Sequence, residues 1–391
     1  MQLNVAYVRN GYPEKRMIID KTKNNYIFLN RKKDIGYLMA KINYKITQKN
    51  DIKNYNRIES LYKPVFVPKT IDIIHTLNLT ISTNKPWIVS TEYDFPLYYP
   101  EMKENEIIKY STTLKKYILA DNCKKILPFS ECAKEECIDT AKKYLNSNEL
   151  KKFKSKIQVV YPPQDLIVTN DEIEKKFRIL KEQKNINFVF VGRQFFRKGG
   201  YIALKSLEKI RQKYKKINFI IISSLTSDGK AYNESYSKVE KEILNKKWIK
   251  WYKNLPNDKV LSILKKSHIG LLPTFGDTFG FSVLEMQACG CPVITSNNYA
   301  LPEINNDNIG WICDINECIQ KYGDNYFDVK TSKSTTDLMI NKLTKIIQEI
   351  INTPKSNIES KAIRAFNNVK VKNSPVKYSE ILNNIYIDAL Q

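Results

Sequence analysis

The stretch Pro273–Glu303 constrains the fold of this chain more than any other part of the sequence. It follows a short apolar run, Ile269–Leu272, which predicts a buried strand. A loop with two glycines comes next, residues 281–288 predict a helix, and Val293–Ser296 predict a second strand. A strand, a loop, a helix and a strand in this order form a parallel crossover unit, so the sequence predicts a doubly wound α/β sheet.

The loop of this unit has the chemistry of a ligand site. It lies at the carboxyl end of its first strand, where open α/β sheets bind their ligands. Free backbone N–H groups at the start of the helix suit a phosphate, and Gly280 allows a close approach because it has no Cβ. Asp277 and Glu285 are at most roughly 12 Å apart at about 1.5 Å per helical residue. That separation suits a long polar ligand with hydroxyl groups at both ends and a phosphate between them, which is the shape of a nucleotide-sugar.

This pattern resembles the E-x7-E motif of retaining GT-B glycosyltransferases, the large glycosyltransferase family four. The match runs through residues 277–285, residues 288–294 and residues 302–304. The family usually has Glu where this chain has Asp277, so the first carboxylate here is one methylene shorter. An ordinary α/β unit with a capping Asp and a solvated Glu is the alternative, and the length of the match favours the functional interpretation. The resemblance implies a set of donor-binding residues in this loop and helix: Asp277, Phe279, Gly280, Phe281 and Glu285.

A second loop carries the complementary charge. It spans residues 192–200 and follows the apolar run Ile186–Val191. It resembles the family's G-R-x4-K-G loop, which implies that Arg193 and Lys198 hold the donor diphosphate. Arg197 is not part of this motif, and a solvated position is the simple interpretation for it. Two cations at the carboxyl edge of a strand neutralise a dianion and stabilise charge on the departing nucleoside diphosphate. The chain has no D-x-D motif, so neither a metal nor another cofactor is expected beside a UDP- or GDP-sugar substrate.

The N-terminal half resembles the family only in outline. Its predicted strands, at 2–8, 71–78 and 87–90, deliver candidate acceptor-side residues to one sheet edge. These are Gly11, His75 and Asp94, together with Glu92 as a candidate base for the acceptor hydroxyl. A plain turn at Gly11, a structural role for His75 and a capping role for each carboxylate remain alternatives. The predicted catalytic residues are Asp277, Glu92, Arg193 and Lys198.

The predicted architecture is α/β of the GT-B class, with two doubly wound Rossmann-like domains that face a cleft. A chain of 391 residues is long enough for two or three domains. The predicted boundaries are 1–165 for an acceptor-binding domain, 166–185 for a linker or a joining helix, 186–372 for a nucleotide-sugar-binding domain and 373–391 for a helix that crosses back to the first domain.

Basic residues are concentrated near the N-terminus. The formal net charge is +23, and residues 1–69 hold 15 Lys and Arg against five Asp and Glu. Such a surface attracts anionic lipid head groups or an acidic acceptor, although a solvated lysine-rich face is the alternative. No RNP, zinc-finger or basic-zipper signature accompanies the charge, so nucleic acid is not an expected partner.

Three negative features predict a cytoplasmic protein, with a peripheral position at the inner face of the plasma membrane as a further possibility. The seven cysteines form no C-x-x-C pair and the two histidines lie far from them, which favours reduced thiols. No apolar run approaches the length of a membrane span. The N-terminal residues lack the pattern of a secretory signal.

The sequence as a whole predicts a retaining hexosyltransferase that moves a sugar from a nucleotide-sugar to an acceptor hydroxyl. The expected partners are the nucleotide-sugar and a glycan or lipid-linked acceptor. The expected process is synthesis of a bacterial surface glycan: lipopolysaccharide, capsule or a lipid-linked oligosaccharide. A soluble or protein acceptor remains open. The alternative function is a non-catalytic GT-B-fold binding subunit of a glycosylation complex.

Overall fold

A computed structural model describes residues 2–47, 60–96, 104–225, 236–322, 326–329 and 332–391. The chain divides into two compact units. The first combines Met1–Pro163 with Pro375–Gln391, and the second is Gln164–Ser374. Each unit contains one large parallel sheet and helices, which confirms the predicted α/β class.

The first unit is built on a five-stranded parallel sheet. The unit contains seven described strands, five of them in this sheet: β1 (Asn4–Tyr7), β2 (Asn25–Phe28), β3 (Leu61–Tyr62), β4 (Ile73–Leu77), β5 (Thr80–Ile81), β6 (Trp87–Thr91) and β7 (Cys123–Pro128). Its first five helices are α1 (Tyr12–Met17), α2 (Ile35–Thr47), α3 (Glu104–Ile118), α4 (Glu131–Lys142) and α5 (Ser147–Lys156). The sheet order is β2-β1-β4-β6-β7, while β3 pairs with β5 apart from it. Every residue of β4 and β6 is buried, as in parallel strands covered on both faces.

The second unit is built on a six-stranded parallel sheet. Its strands are β8 (Ile186–Val191), β9 (Ile217–Ile222), β10 (Ile249–Tyr252), β11 (Ile269–Leu272), β12 (Val293–Ser296) and β13 (Trp311–Cys313), with the small hairpin β14 (Ile319–Tyr322) and β15 (Tyr326–Val329). Its helices are α6 (Asn170–Gln183), α7 (Gly200–Lys213), α8 (Tyr236–Leu244), α9 (Asn257–Lys265), α10 (Phe281–Ala288), α11 (Leu301–Ile304), α12 (Lys333–Asn352) and α13 (Lys355–Lys372).

The order of the second sheet, β10-β9-β8-β11-β12-β13, fixes the place of the site. The chain builds outward from β8 through β9 to β10, then returns to the other side of β8 and continues through β11. The sheet therefore changes direction between β8 and β11, which are paired neighbours. Such a switch point opens a crevice at the carboxyl ends of the two strands, where ligands bind.

The stretch 166–185, predicted as a linker or a joining helix, is largely helical. This stretch contains α6, which belongs to the second unit and buries Ile173, Phe177 and Leu180. Their spacing of three and four residues is that of one helix face, and Thr169 caps the helix by accepting the N–H of Glu172 at 3.2 Å. Many charged residues lie between these positions, so the apolar helix face is hard to recognise in the sequence.

Two short helices follow β7, since α4 ends at Lys142 and a separate helix, α5, begins at Ser147. Asn146 and Glu149 form a capping box that starts α5, with each side chain accepting the other residue's backbone N–H at 3.0 Å. After α5, an isolated parallel bridge joins Ile157 to Ile126 of β7.

The last helix, α14 (Pro375–Asp388), belongs to the first unit. It buries Tyr378, Leu382, Ile385 and Tyr386 there. The hydroxyl of Tyr378 donates to the carbonyl of Met17 at 2.6 Å. Aromatic rings with satisfied hydroxyls give this helix both packing and a fixed register.

Candidate active site in the second unit

Two loops meet at the switch point of the second sheet. One follows β8 and carries Arg193 and Lys198, and the other follows β11 and carries Asp277. The backbone joins them, because the N–H of Phe275 donates to the carbonyl of Arg197 at 2.9 Å. The predicted diphosphate-binding and sugar-binding segments are therefore parts of one local structure.

Lys198 and Asp277 form the charged centre of this structure. The Lys198 Nζ lies 2.6 Å from the Asp277 Oδ2, and the two side chains are only 18% and 15% exposed. The ammonium also donates to the carbonyl of Gly276 at 3.2 Å. Charge-assisted bonds in a partly desolvated place hold both groups in fixed positions. The sequence predicted both residues as site residues but not their contact with each other.

Arg197 and Thr274 reinforce the junction of the loops, and the sequence did not identify either as part of the site. The Arg197 Nη2 donates to the Gly276 carbonyl at 3.2 Å, so a guanidinium and an ammonium converge on one oxygen. The Thr274 Oγ1 accepts the N–H of Gly276 at 3.0 Å and lies 3.1 Å from the carbonyl of Arg197. The region is therefore cationic and preorganised, as an anion site requires.

A third segment, after β12, supports the loop after β11. The Ser296 hydroxyl and the Asn298 amide both donate to the carbonyl of Thr274, at 2.6 and 3.1 Å. Tyr299 adopts a φ of 50°, which is uncommon for a residue with a side chain. Its ring would lie 3.4 Å from a Cβ at Gly276. Nothing in the local sequence pattern distinguishes this tyrosine from an ordinary turn residue.

Two glycines allow the close approach of these segments. Gly199 has a φ of 81°, and a Cβ there would lie 1.9 Å from the carbonyl oxygen of Pro273. Gly280 has a φ of 93°, and a Cβ there would lie 2.7 Å from the Leu301 Cδ2. Each is the N-cap residue of a helix, α7 and α10 respectively. The glycines set the backbone so that each helix begins at the sheet edge.

The remaining donor-side candidates differ in their accessibility. Arg193 is exposed, and its carbonyl accepts the Ser224 hydroxyl at 2.7 Å. Glu285 and Phe281 are half-buried on α10. Phe279 is only 1% exposed and its ring packs 5.2 Å from that of Phe281, so it contributes to the core and offers a ligand only its backbone.

Of the two roles expected for His75, acceptor-side or structural, the structure favours the structural one. It is fully buried on β4, where its Nδ1 lies 2.8 Å from the Tyr386 hydroxyl and its Nε2 lies 2.8 Å from the Ser90 hydroxyl. Burial lowers its pKa to about 3. A neutral imidazole with both nitrogens bonded joins α14 to the sheet, so its role is structural.

Gly11 does not lie in an open loop, because it is the N-cap residue of α1. Its N–H donates to the Glu14 Oε2 at 3.1 Å, and this carboxylate is itself buried. The predicted turn of residues 10–13 is thus the beginning of a short helix, which Pro13 favours through its fixed φ.

Glu92 and Asp94 follow β6, and the structure separates their surroundings. Glu92 is half-buried, and its N–H donates to the Asn78 Oδ1 at 3.1 Å. Asp94 is 9% exposed, and burial raises its pKa to about 7. Its Oδ1 has no hydrogen-bond partner among the described residues. Asp94 is an internal carboxyl group beside Glu136, whose pKa burial raises to about 8, and is not an acceptor-side surface residue.

In a comparison with known protein families, the match falls within the second unit. Residues 171–326 match the family model "Glycosyl transferases group 1". An uncharacterized 41.2 kDa protein in the cps region of Klebsiella pneumoniae is 32% identical over 162 residues, 40% of each chain. O-antigen chain mannosyltransferase B of Escherichia coli is 31% identical over 70 residues, 18% of each chain. The chain thus spans less than half the length of these curated relatives.

Solved structures resemble the whole chain. HepE of Anabaena in complex with UDP and glucose superposes with a TM-score of 0.61 at 12% identity, over 98% of this chain and 99% of that one. A glycosyltransferase of Rickettsia africae superposes with a TM-score of 0.59 at 16% identity, over 100% and 99%. At these identities the likeness establishes the fold, which is GT-B as predicted, with two Rossmann-like units. Within the described ranges, no helix has the length and apolar character needed to cross a bilayer.

Proposed function

We propose that this protein is a retaining glycosyltransferase that moves a hexose from a nucleotide-sugar to an acceptor hydroxyl. The observation that carries the proposal is the junction of the two loops in the second unit, where Lys198 and Arg197 donate to the Gly276 carbonyl and Asp277 pairs with Lys198. The match to the group 1 glycosyl transferases covers the same loops. Retention at the anomeric carbon rests on the resemblance of residues 277–285 to the family motif.

The chemistry divides among four residues. Arg193 and Lys198 neutralise the donor diphosphate and stabilise the charge that it gains as the sugar leaves. Asp277 fixes the Lys198 ammonium and lies beside the space where the sugar joins the diphosphate. Glu285 accepts hydrogen bonds from ribose hydroxyls, with the start of α10 nearby to supply backbone N–H groups. Glu92 stays the candidate base for the acceptor hydroxyl.

The proposed donor is a UDP- or GDP-sugar, and no metal is required, because two cationic side chains take its place. The proposed acceptor is a glycan or a lipid-linked glycan of a bacterial surface polymer, made at the cytoplasmic face of the membrane. Two relatives support this choice, since one lies in a cps region and the other is named as an O-antigen chain mannosyltransferase.

The test is a panel of UDP- and GDP-linked hexoses, each assayed for a rise in the melting temperature of the full chain and for slow hydrolysis in the absence of acceptor. One donor should stabilise the protein and be hydrolysed. A donor that stabilises the protein but is never hydrolysed or transferred would point to the binding-subunit alternative. Stabilisation by none of them would overturn the proposal.

A further inference from the structure

Helix α2 of the first unit presents an apolar stripe to solvent. The stripe consists of Ile35, Leu38, Met39, Ile42 and Ile46, which are 71%, 43%, 61%, 51% and 72% exposed. Their spacing of three and four residues places them on one face of the helix. An amphipathic helix normally buries such a face against the core, whereas here the stripe points outward.

The loop before β4 extends the stripe. Val65 and Phe66 are 70% and 71% exposed, and a Cβ at Gly36 would lie 2.9 Å from the Val65 Cγ2. Asp34 holds this loop beside the start of the helix, because its Oδ2 accepts the N–H of Val65 at 3.0 Å. The apolar surface therefore comes from two segments that are fixed to each other.

The face of α2 opposite the stripe packs against the first unit. Tyr37 is buried on the opposite face, with the guanidinium of Arg31 4.4 Å from its ring centroid and the Arg31 Nη2 3.3 Å from its hydroxyl. The Lys41 ammonium lies 4.9 Å from the centroid of the same ring. This packing makes Arg31 a structural residue, whereas the neighbouring Lys32 and Lys33 are exposed.

Positive charge borders the stripe. Lys32, Lys33 and Lys45 are exposed, and Lys41 lies one helical turn before Lys45 on the same side. Residues 31–47 contain five basic residues and one acidic residue, Asp34, whose oxygens already accept backbone N–H groups of Tyr37 and Val65. An apolar centre with a lysine border is complementary to a lipid bilayer, whose interior is apolar and whose head groups can be anionic.

We propose that the stripe, with Val65 and Phe66, docks the first unit onto an anionic lipid bilayer. The apolar side chains enter the boundary between head groups and acyl chains, and the lysines meet the lipid phosphates. A second copy of the chain is the less suitable occupant, because a symmetric interface would set one lysine border against the other. The proposal rests on the first unit alone and does not depend on the chemistry of the second.

The test compares sedimentation of the full chain with vesicles of phosphatidylcholine alone and with vesicles of equal parts phosphatidylcholine and phosphatidylglycerol. The wild type should bind the anionic vesicles, and part of this binding should survive 1 M salt, since screening shortens the reach of charge to about 3 Å but leaves apolar insertion intact. The triple variant Leu38→Gln, Ile42→Gln and Ile46→Gln should lose at least about tenfold in partitioning.

A double variant in the second unit, Leu244→Gln and Val371→Gln, removes side chains that are 67% and 62% exposed and should bind like the wild type. Equal binding by the wild type and the triple variant would overturn the proposal. A dimer in sedimentation velocity that the triple variant abolishes, with no vesicle binding, would assign the stripe to a second copy and overturn it too. Donor hydrolysis without vesicles, measured in parallel, separates failure of the enzyme proposal from failure of this one.

Discussion

At the scale of single residues, Arg193 tests the proposed leaving-group chemistry. Its side chain is exposed at the loop after β8, so its removal leaves the core intact. Arg193→Ala should lower the rate of donor hydrolysis about 10²–10³-fold, because a cation that faces developing charge contributes to the transition state. Arg178→Ala, at an exposed position on α6, is the matched control. Equal rates for the two variants would remove Arg193 from the mechanism.

Glu285 tests the orientation of the donor. A neutral amide accepts hydrogen bonds less strongly than a carboxylate, and a charged hydrogen bond contributes about 1.5–3 kcal/mol. Glu285→Gln should therefore weaken nucleotide-sugar binding about tenfold or more in calorimetry. Unchanged affinity in a folded variant would exclude the assignment of Glu285 to the ribose.

Asp94 gives the first unit a dependence on pH. Its pKa is about 7 in the folded protein against an ordinary value of 3.8, so the folded state holds a proton that the unfolded state releases. Stability from this group is complete below pH 4 and falls as the pH rises towards 7, by at most about 4 kcal/mol. Asp94→Asn should thus gain melting temperature relative to wild type between pH 5 and pH 8.5. The control Asp165→Asn, at an exposed position, should have the melting temperature of the wild type at each pH. A difference in melting temperature between Asp94→Asn and the wild type that does not change with pH would contradict this account.

The residue scale is also where the sequence is least informative. Lys198 and Asp277 were found because each lies in a motif with fixed spacing. His75 and Asp94 were misplaced, because a strand end and a loop have the same letters whether their side chains face solvent or the core. The burial of His75 depends on α14, which contributes Tyr386 from more than 300 residues away.

At the scale of elements, Gly199 tests the junction of the two loops. Gly199→Ala would bring a Cβ to 1.9 Å from the Pro273 carbonyl oxygen at a φ of 81°. We expect a loss of at least about 2 kcal/mol in the free energy of unfolding, from strain and displacement of the loop. Urea unfolding measures it. Gly276→Ala, where the nearest atom is 3.4 Å away, is the control and should cost less than about 1 kcal/mol. Similar losses for both would refute the close-approach argument.

Elements with strong periodic signals were predicted well, and those with mixed composition were not. Central strands such as β8 and β11 are mainly apolar, so the sequence shows their order in the chain. Helix α6 was predicted only as a linker or a joining helix, because its charged residues outnumber its apolar ones. The stripe on α2 was missed for a related reason, since a period of three and four residues does not say which face meets the core.

At the scale of the whole molecule, the sequence defines a GT-B fold from its second half, while the first half departs from the family in detail. The switch between β8 and β11 explains why two motifs almost 80 residues apart meet, and parallel-sheet topology alone predicts this. The net charge of the chain, by contrast, does not predict which basic residues lie on the surface. Among the basic residues of the first unit, Arg31 is buried and packs against Tyr37, whereas Lys32 and Lys33 are exposed.

The central claim is that the loops after β8 and β11 bind a nucleoside diphosphate through Lys198 without a metal. Calorimetric titration of UDP and of GDP into the full chain in EDTA tests it most directly, with Lys198→Ala beside Lys205→Ala, whose ammonium pairs with Glu242 on another helix. One nucleotide should bind the wild type and Lys205→Ala alike, and bind Lys198→Ala about tenfold or more weakly. Binding that needs magnesium or manganese, or equal affinity in all three proteins, would contradict the account.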